Sequence, residues 1–278
     1  MPWPHRERLR LRDAEIAVYQ AGSGRDVIAV HGFQNDHSAW DPFVQRLDLE
    51  QTRVTALDLV GCGSSSAASA WTRCTIDEYA RDLIAVCEAL RLDAPIAIGH
   101  SLGGAIVLDA ALAAPTRFTA AVLVAPASTS GLDFLPDEHA FGALAHPTAD
   151  QQRALATAAF RHPPGDDELS ALLAVIARAT PEHIEGAARS MRDFARQDDL
   201  SMVAVRTLLV CGDRDRHVPL ANHLATQQRI PRCGLQVYFD VGHVPFVEVP
   251  DRFAADVARF MALVPAYDRH DDRRRTAG

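Results

Sequence analysis

The residue pattern predicts an α/β protein: a mostly parallel sheet flanked by helices, with a helical insertion between two of its later strands. Three observations carry this. Short continuous apolar runs recur from Asp26 to Phe239, and a run of that kind marks a strand buried on both faces. Stretches with apolar residues at helical spacing lie between the runs, and such alternation builds a sheet covered on both sides. One segment, 128–201, carries no strand-like run and contains only helix-like pieces.

Taken in order, Arg6 to Tyr19 alternates apolar and charged residues around Arg12-Asp13-Ala14, which predicts a hairpin with one solvated face. After Gly22-Ser23-Gly24 come the buried strands, predicted at Asp26 to Val30, Val54 to Asp58, Pro95 to Ile98, Ala120 to Val124, Thr207 to Cys211 and Leu235 to Phe239. Helices are predicted from Ser38 to Leu49, Ile76 to Leu92, Leu102 to Ala114, Leu220 to Arg229 and Asp251 to Leu263. In the second of these, Leu83, Val86, Cys87 and Leu90 fall at i, i+3, i+4 and i+7, a stripe made to face a sheet. Inside the insertion Thr148 and Thr180 suit N-caps, Pro181 suits a first helical turn, and Leu169, Leu172, Leu173 and Ile176 form another stripe. The expected organisation is a core of 1–127 and 202–278 with a cap of 128–201. The charge cluster Asp268 to Arg275 belongs to a tail, from about 266, expected to fray into solvent.

Composition narrows the function. The 278 residues are 48% hydrophobic and 23% charged, as in a folded globular domain. A formal net charge of −8 argues against holding nucleic acid or an anionic membrane surface. All 28 basic residues are arginine, so lysine Schiff bases and a phosphate-loop lysine are excluded. The five cysteines, Cys62, Cys74, Cys87, Cys211 and Cys233, show no C-x-x-C spacing and read as free thiols in a reducing compartment. Cys87 and Cys211 are expected to be small buried hydrophobes. With no apolar stretch long enough for a leader or a span, the expected location is the cytoplasm.

The chemistry concentrates in Gly99-His100-Ser101-Leu102-Gly103, which follows one buried strand and opens a helix. So tight a turn leaves no room for side chains at the flanking positions, hence glycine, and it lifts the serine over the carboxyl edge of the sheet. The bland alternative, a glycine-rich turn with an idle serine, does not need that context. A serine is a weak nucleophile without a base oriented by a carboxylate. His243 follows the last strand, and Asp215 follows the strand before it, so all three reach the same sheet edge. His217 is the nearest rival base, and Asp213 the nearest rival acid.

With those residues in view the chain resembles the α/β-hydrolase superfamily over roughly residues 6 to 264. His31-Gly32-Phe33-Gln34 is similar to the family's oxyanion loop, Asp58 to Ser65 to its D-x-x-G-x-G-x-S turn, and Gly99 to Gly103 to its nucleophile elbow. Gly212 to Pro219 resembles the acid loop and Gly242-His243 the histidine loop. The resemblance implies an eight-stranded sheet with an antiparallel second strand. It implies Ser101 as nucleophile, His243 as general base and acid, Asp215 as its orienting carboxylate, and the backbone N–H groups of Phe33 and Leu102 as oxyanion hole. Asp215 is preferred to Asp213 because the family places the acid three residues before a Val-Pro pair, here Val218-Pro219. Cys62 stands where bulkier side chains are frequent and reads as packing. A serine in the elbow argues against the branches that use an aspartate nucleophile, and His31-Gly32 lacks the glycine run of the hormone-sensitive-lipase branch.

The expected activity is hydrolysis of a small carboxylic ester or thioester through an acyl-enzyme, with no metal and no organic cofactor. The alternatives are an acyltransferase or cyclase, or a C–C bond or lactone hydrolase, using the same triad. Asn35-Asp36-His37 is similar to one cofactor-independent oxygenase branch, whose elbow differs. A ligand-binding member without turnover is the reading outside enzymes. The expected partner is a small acyl substrate, with no nucleic acid and no membrane; a homo-oligomer is compatible with the sequence.

Overall fold

The structure is a computed structural model that describes residues 2–131 and 147–265. The expected charged tail from 266 and part of the expected cap, 132–146, lie outside the described residues. Eight strands form one sheet: β1 (His5–Leu11), β2 (Ala14–Gly22), β3 (Arg25–Val30), β4 (Thr52–Leu57), β5 (Ile96–His100), β6 (Ala120–Val124), β7 (Arg206–Gly212) and β8 (Cys233–Tyr238). Their spatial order is β1-β2-β4-β3-β5-β6-β7-β8. The first two strands make the expected hairpin, with Leu11 opposite Ala14, and β2 also runs antiparallel to β4. Every pairing from β4 to β8 is parallel.

The strands explain their own apolar runs. Along β3, Ile28 and Val30 join one core layer while Val27 and Ala29 join the other, so both faces need apolar side chains. The first layer is closed by α2 (Ile76–Ala89) and α3 (Leu102–Ala113), through Leu83, Val86, Ile106 and Ala110. The second is closed by the one-turn helix α1 (Asp41–Val44) and, near the end of the chain, by a helix over Pro250–Ala262, through Phe43, Phe253 and Val257. The helix expected from Ser38 to Leu49 is shorter than the sequence suggests. A 3₁₀ turn over His37–Trp40 gives way to α1, because Pro42 has no N–H to continue a ladder from Ser38, and the chain leaves the helix after Val44.

Between β6 and β7 the described chain holds α4 (Ala149–Ala158), α5 (Asp166–Ile176) and α6 (Pro181–Arg192). Thr148 caps α4 with a reciprocal capping box to Gln151, and Thr180 caps α6 by accepting the His183 N–H. Ala156, Leu169 and Ile176 make a small core of their own, with Leu172 and Leu173 packed against it. After β7 come α7 (Leu220–Arg229), then α8 (Pro245–Glu248) and α9 (Pro250–Ala262). No helix among the described residues is long and apolar enough to cross a membrane.

Candidate active site

The turn from β5 to α3 carries Ser101 at φ 53°, ψ −114°, a left-handed conformation costly for a residue with a side chain. Backbone hydrogen bonds hold it there. Ser101 N–H donates to the Val124 carbonyl at 2.9 Å, and the Ser101 carbonyl accepts from Gly104 N–H and Ala127 N–H, each at 2.9 Å. Glycine is obligatory on either side. A Cβ on Gly99 would lie 2.1 Å from the Gly103 carbonyl oxygen, and one on Gly103 would lie 2.3 Å from that of Val30. The elbow therefore exists because two backbones touch where side chains would stand.

His243 sits just past β8 and is buried, as is Asp215 past β7. His243 Nδ1 and Asp215 Oδ2 are 2.7 Å apart, a short charge-assisted contact. The other carboxylate oxygen accepts the backbone N–H groups of His217 (2.8 Å) and Val218 (2.9 Å). Burial pushes the Asp215 carboxyl up, but the charge of His243 and the hydrogen bonds outweigh it and hold the group well below the usual carboxylate range. Asp213 is spent elsewhere: its Oδ1 accepts the Asp240 N–H at 2.6 Å.

The elbow meets the histidine loop through His100, whose Nε2 donates to the His243 carbonyl at 3.0 Å, with the two rings 4.8 Å apart. Burial, and then the charge of His243, hold His100 well below the ordinary histidine value. Among the described residues the Ser101 hydroxyl makes no hydrogen bond to His243, so the imidazole–carboxylate pair is assembled and the hydroxyl–imidazole contact is open. Such contacts commonly close only with substrate. His217, the rival base, lies with its ring 5.0 Å from that of His243. Burial, and then the charge of His243, push it down to about 4.

The loop after β3 supplies Phe33. Among the described residues neither Phe33 N–H nor Leu102 N–H is engaged by another group, and Leu102 opens α3, where a helix leaves its first N–H groups unpaired. The D-x-x-G-x-G-x-S turn is structural. Asp58 Oδ1 accepts the His37 N–H at 2.8 Å and faces His37 Nδ1 at 2.9 Å, while Oδ2 accepts the Ser64 N–H at 2.7 Å. A Cβ on Gly63 (φ +54°) would fall 2.2 Å from that Oδ2. Asp36, His37 and Asp58 cluster closely enough to suggest a metal. Their donor atoms are already committed to Ser38, to Arg178 and to one another. Cys62 is buried in the core, with its thiol pushed well up by that burial, which matches its reading as packing.

Sequence reading missed how the segment before β7 grips the loops that carry His243 and Gln34. His243 N–H donates to the Ala159 carbonyl at 2.7 Å. Glu248 accepts the N–H groups of Gly242 and Arg161, each at 2.8 Å, and so ties the histidine loop to the end of α4. From α6, His183 Nε2 accepts the Gln34 N–H at 3.3 Å, and its Nδ1 lies 2.7 Å from Tyr79 Oη. Beside Asp215, α7 places the buried His223 with Nε2 3.5 Å from Asp215 Oδ2. None of these partners is separated by a motif spacing, so no sequence signal announces them.

Comparison with known proteins adds the following. A family model described as the alpha/beta hydrolase family matches residues 27–256. A pimeloyl-[acyl-carrier protein] methyl ester esterase of Nitrosomonas europaea is 26% identical over 255 residues, covering 87% of this chain and 98% of that one. A 2-hydroxymuconate semialdehyde hydrolase of Pseudomonas sp. (strain CF600) is 30% identical over 268 residues, covering 90% and 91%. Among solved structures, a thermophilic esterase from Thermogutta terrifontis superimposes with a TM-score of 0.83 at 22% identity, covering 94% of this chain and all of that one (100%), a likeness of fold.

Proposed function

The chain belongs to the alpha/beta hydrolase family and is an ester hydrolase, and on that premise we propose that it cleaves a small carboxylic ester or thioester through an acyl-enzyme on Ser101. The observation that carries this reading is the 2.7 Å contact between His243 Nδ1 and Asp215 Oδ2, set beside a left-handed Ser101 and two unengaged N–H groups.

In the proposed mechanism His243 Nε2 takes the Ser101 hydroxyl proton as Oγ bonds to the substrate carbonyl carbon. The carbonyl oxygen becomes an oxyanion held by Phe33 N–H and Leu102 N–H, donors commonly worth about 3–4 kcal/mol each in the transition state. Collapse breaks the bond to the leaving alcohol or thiol, which takes its proton from His243. Water then gives a proton to His243 and attacks the acyl carbon. The acid departs and Ser101 recovers its proton. Asp215 stays ionised throughout and steadies the imidazolium. Residues 147–201 would bound the acyl and alcohol pockets, since Ala159, Arg161 and His183 bind the loops on either side of Ser101.

A second reading is favoured by one finding, the 30% identity to the 2-hydroxymuconate semialdehyde hydrolase. It uses the same triad on a C–C bond. The test is a panel of short-chain esters and thioesters together with 2-hydroxymuconate semialdehyde, assayed with the native protein and with Ser101→Ala. Turnover of esters, lost by on the order of 10⁶ in the variant, is the expected outcome. Turnover of the semialdehyde alone would favour the second reading, and a Ser101→Ala variant keeping a tenth of native kcat would refute both.

A further inference from the structure

Asp215 is more heavily engaged than a triad requires. A carboxylate offers about four lone-pair sites. Three face good donors: the N–H groups of His217 and Val218 on Oδ1, and His243 Nδ1 on Oδ2. The fourth faces His223. That imidazole is only 1% exposed, and its Nε2 lies 3.5 Å from Asp215 Oδ2, short of a well-formed bond. It has no other partner, one of few buried polar atoms so placed among the described residues. A buried ring nitrogen without a partner is costly, and here an oxygen of the carboxylate that orients the base lies within reach.

We infer that His223 is a positioning residue of the triad, with Nε2–H donating to Asp215 Oδ2, so that the carboxylate is held between two imidazoles. The inference rests on the triad reading. A shift of a few tenths of an ångström in α7 completes the bond. His223 then fixes the tautomer opposite to the one that would repel the carboxylate, and it locks the plane in which Oδ2 presents itself to His243. It also draws charge from Oδ2, which limits how strongly the carboxylate favours a protonated His243 in the resting enzyme. Facing this pair are His100 on β5, Cys211 on β7, His217 and Val218 N–H in the acid loop, and His223 on α7, while Arg161, Arg214 and Arg216 line the cavity beside Asp215. From the segment before β7 comes the Ala159 carbonyl, which accepts His243 N–H.

Two variants and one spectrum test it. In His223→Leu the donor is gone, so the acidic limb of the kcat/KM profile should move to higher pH by roughly half to one unit, a fraction of the ~1–2 units that one hydrogen bond to a carboxylate is worth, since it acts through Asp215. Loss of orientation should lower kcat by about tenfold while KM changes little. In His223→Gln the amide nitrogen reaches the place of Nε2 and should restore both. A merely structural histidine would move stability and leave the pH limb where it is. Should His223→Leu fail to fold, ¹⁵N spectra of the imidazoles in the native protein decide, with a protonated His223 Nε2 expected. A Leu profile superimposable on the native one, or a bare Nε2, overturns the inference. The triad reading fails on a different sign, retained activity in Ser101→Ala.

Discussion

Asp213 and Asp215 stand two residues apart in one loop and do different work. Asp215 has both oxygens turned inward to His243, His217 N–H and Val218 N–H, whereas Asp213 accepts the Asp240 N–H and lies 3.4 Å from its neighbour Arg214. Changing each to asparagine separates the roles. Asp215→Asn should lower kcat by roughly 10⁴ with the fold retained, because the amide favours the wrong imidazole tautomer. Asp213→Asn should cost mainly stability, about 0.5–2 kcal/mol by comparison with loss of a cap. Measured side by side, kcat and Tm distinguish them, and an inactive Asp213→Asn beside an active Asp215→Asn would reverse the assignment. At this scale the sequence is informative where spacing is fixed by the chain, as in Gly99 to Gly103 or Asp215 before Val218-Pro219. It is silent on His223 and Glu248, whose partners are set by how a helix lies on a loop.

Helix α6 joins the oxyanion loop to α2 through one neutral imidazole. Tyr79 Oη donates to the Val60 carbonyl at 2.9 Å and so receives from His183 Nδ1, which leaves Nε2 to accept the Gln34 N–H. Burial pushes His183 down to about 3. A base depressed in this way stabilises the folded chain fully above its ordinary value near 6.5, and that contribution is lost as pH falls from there toward 3. Protonation also removes the acceptor that holds Gln34, beside Phe33. Tm should therefore fall between pH 7 and pH 4, and fall less steeply in His183→Gln, which keeps an acceptor but cannot titrate. Equal slopes in the two proteins would show that this seam does not control the acid response. The helix itself was legible from Thr180-Pro181, its cap and first turn. Its docking was not, because an apolar stripe tells which face is buried and not against what. The over-long helix read from Ser38 shows the converse, a periodic stripe that continues through Pro42 where the hydrogen-bond ladder cannot.

Across the whole molecule, the strand order brings four separate sequence motifs to one place. β3, β5, β7 and β8 run parallel, so their carboxyl ends share an edge, and each delivers one part there: the Phe33 loop, Ser101, Asp215 and His243. That convergence was readable from buried strands followed by polar motifs, since parallel strands leave the chain no other edge to use. The grip of segment 149–192 on the site was not readable, because it joins groups such as Ala159 C=O, Arg161 N–H and the His183 ring to partners on distant elements. In the proposed reaction Ser101 carries the acyl group. The most direct test of this is intact-protein and peptide mass spectrometry after acid quenching within the first turnovers on the best ester of the panel. A mass increment equal to the acyl group is expected on the peptide containing Ser101, and none in Ser101→Ala. An increment on another residue, or ester turnover in Ser101→Ala at the native rate, would contradict it.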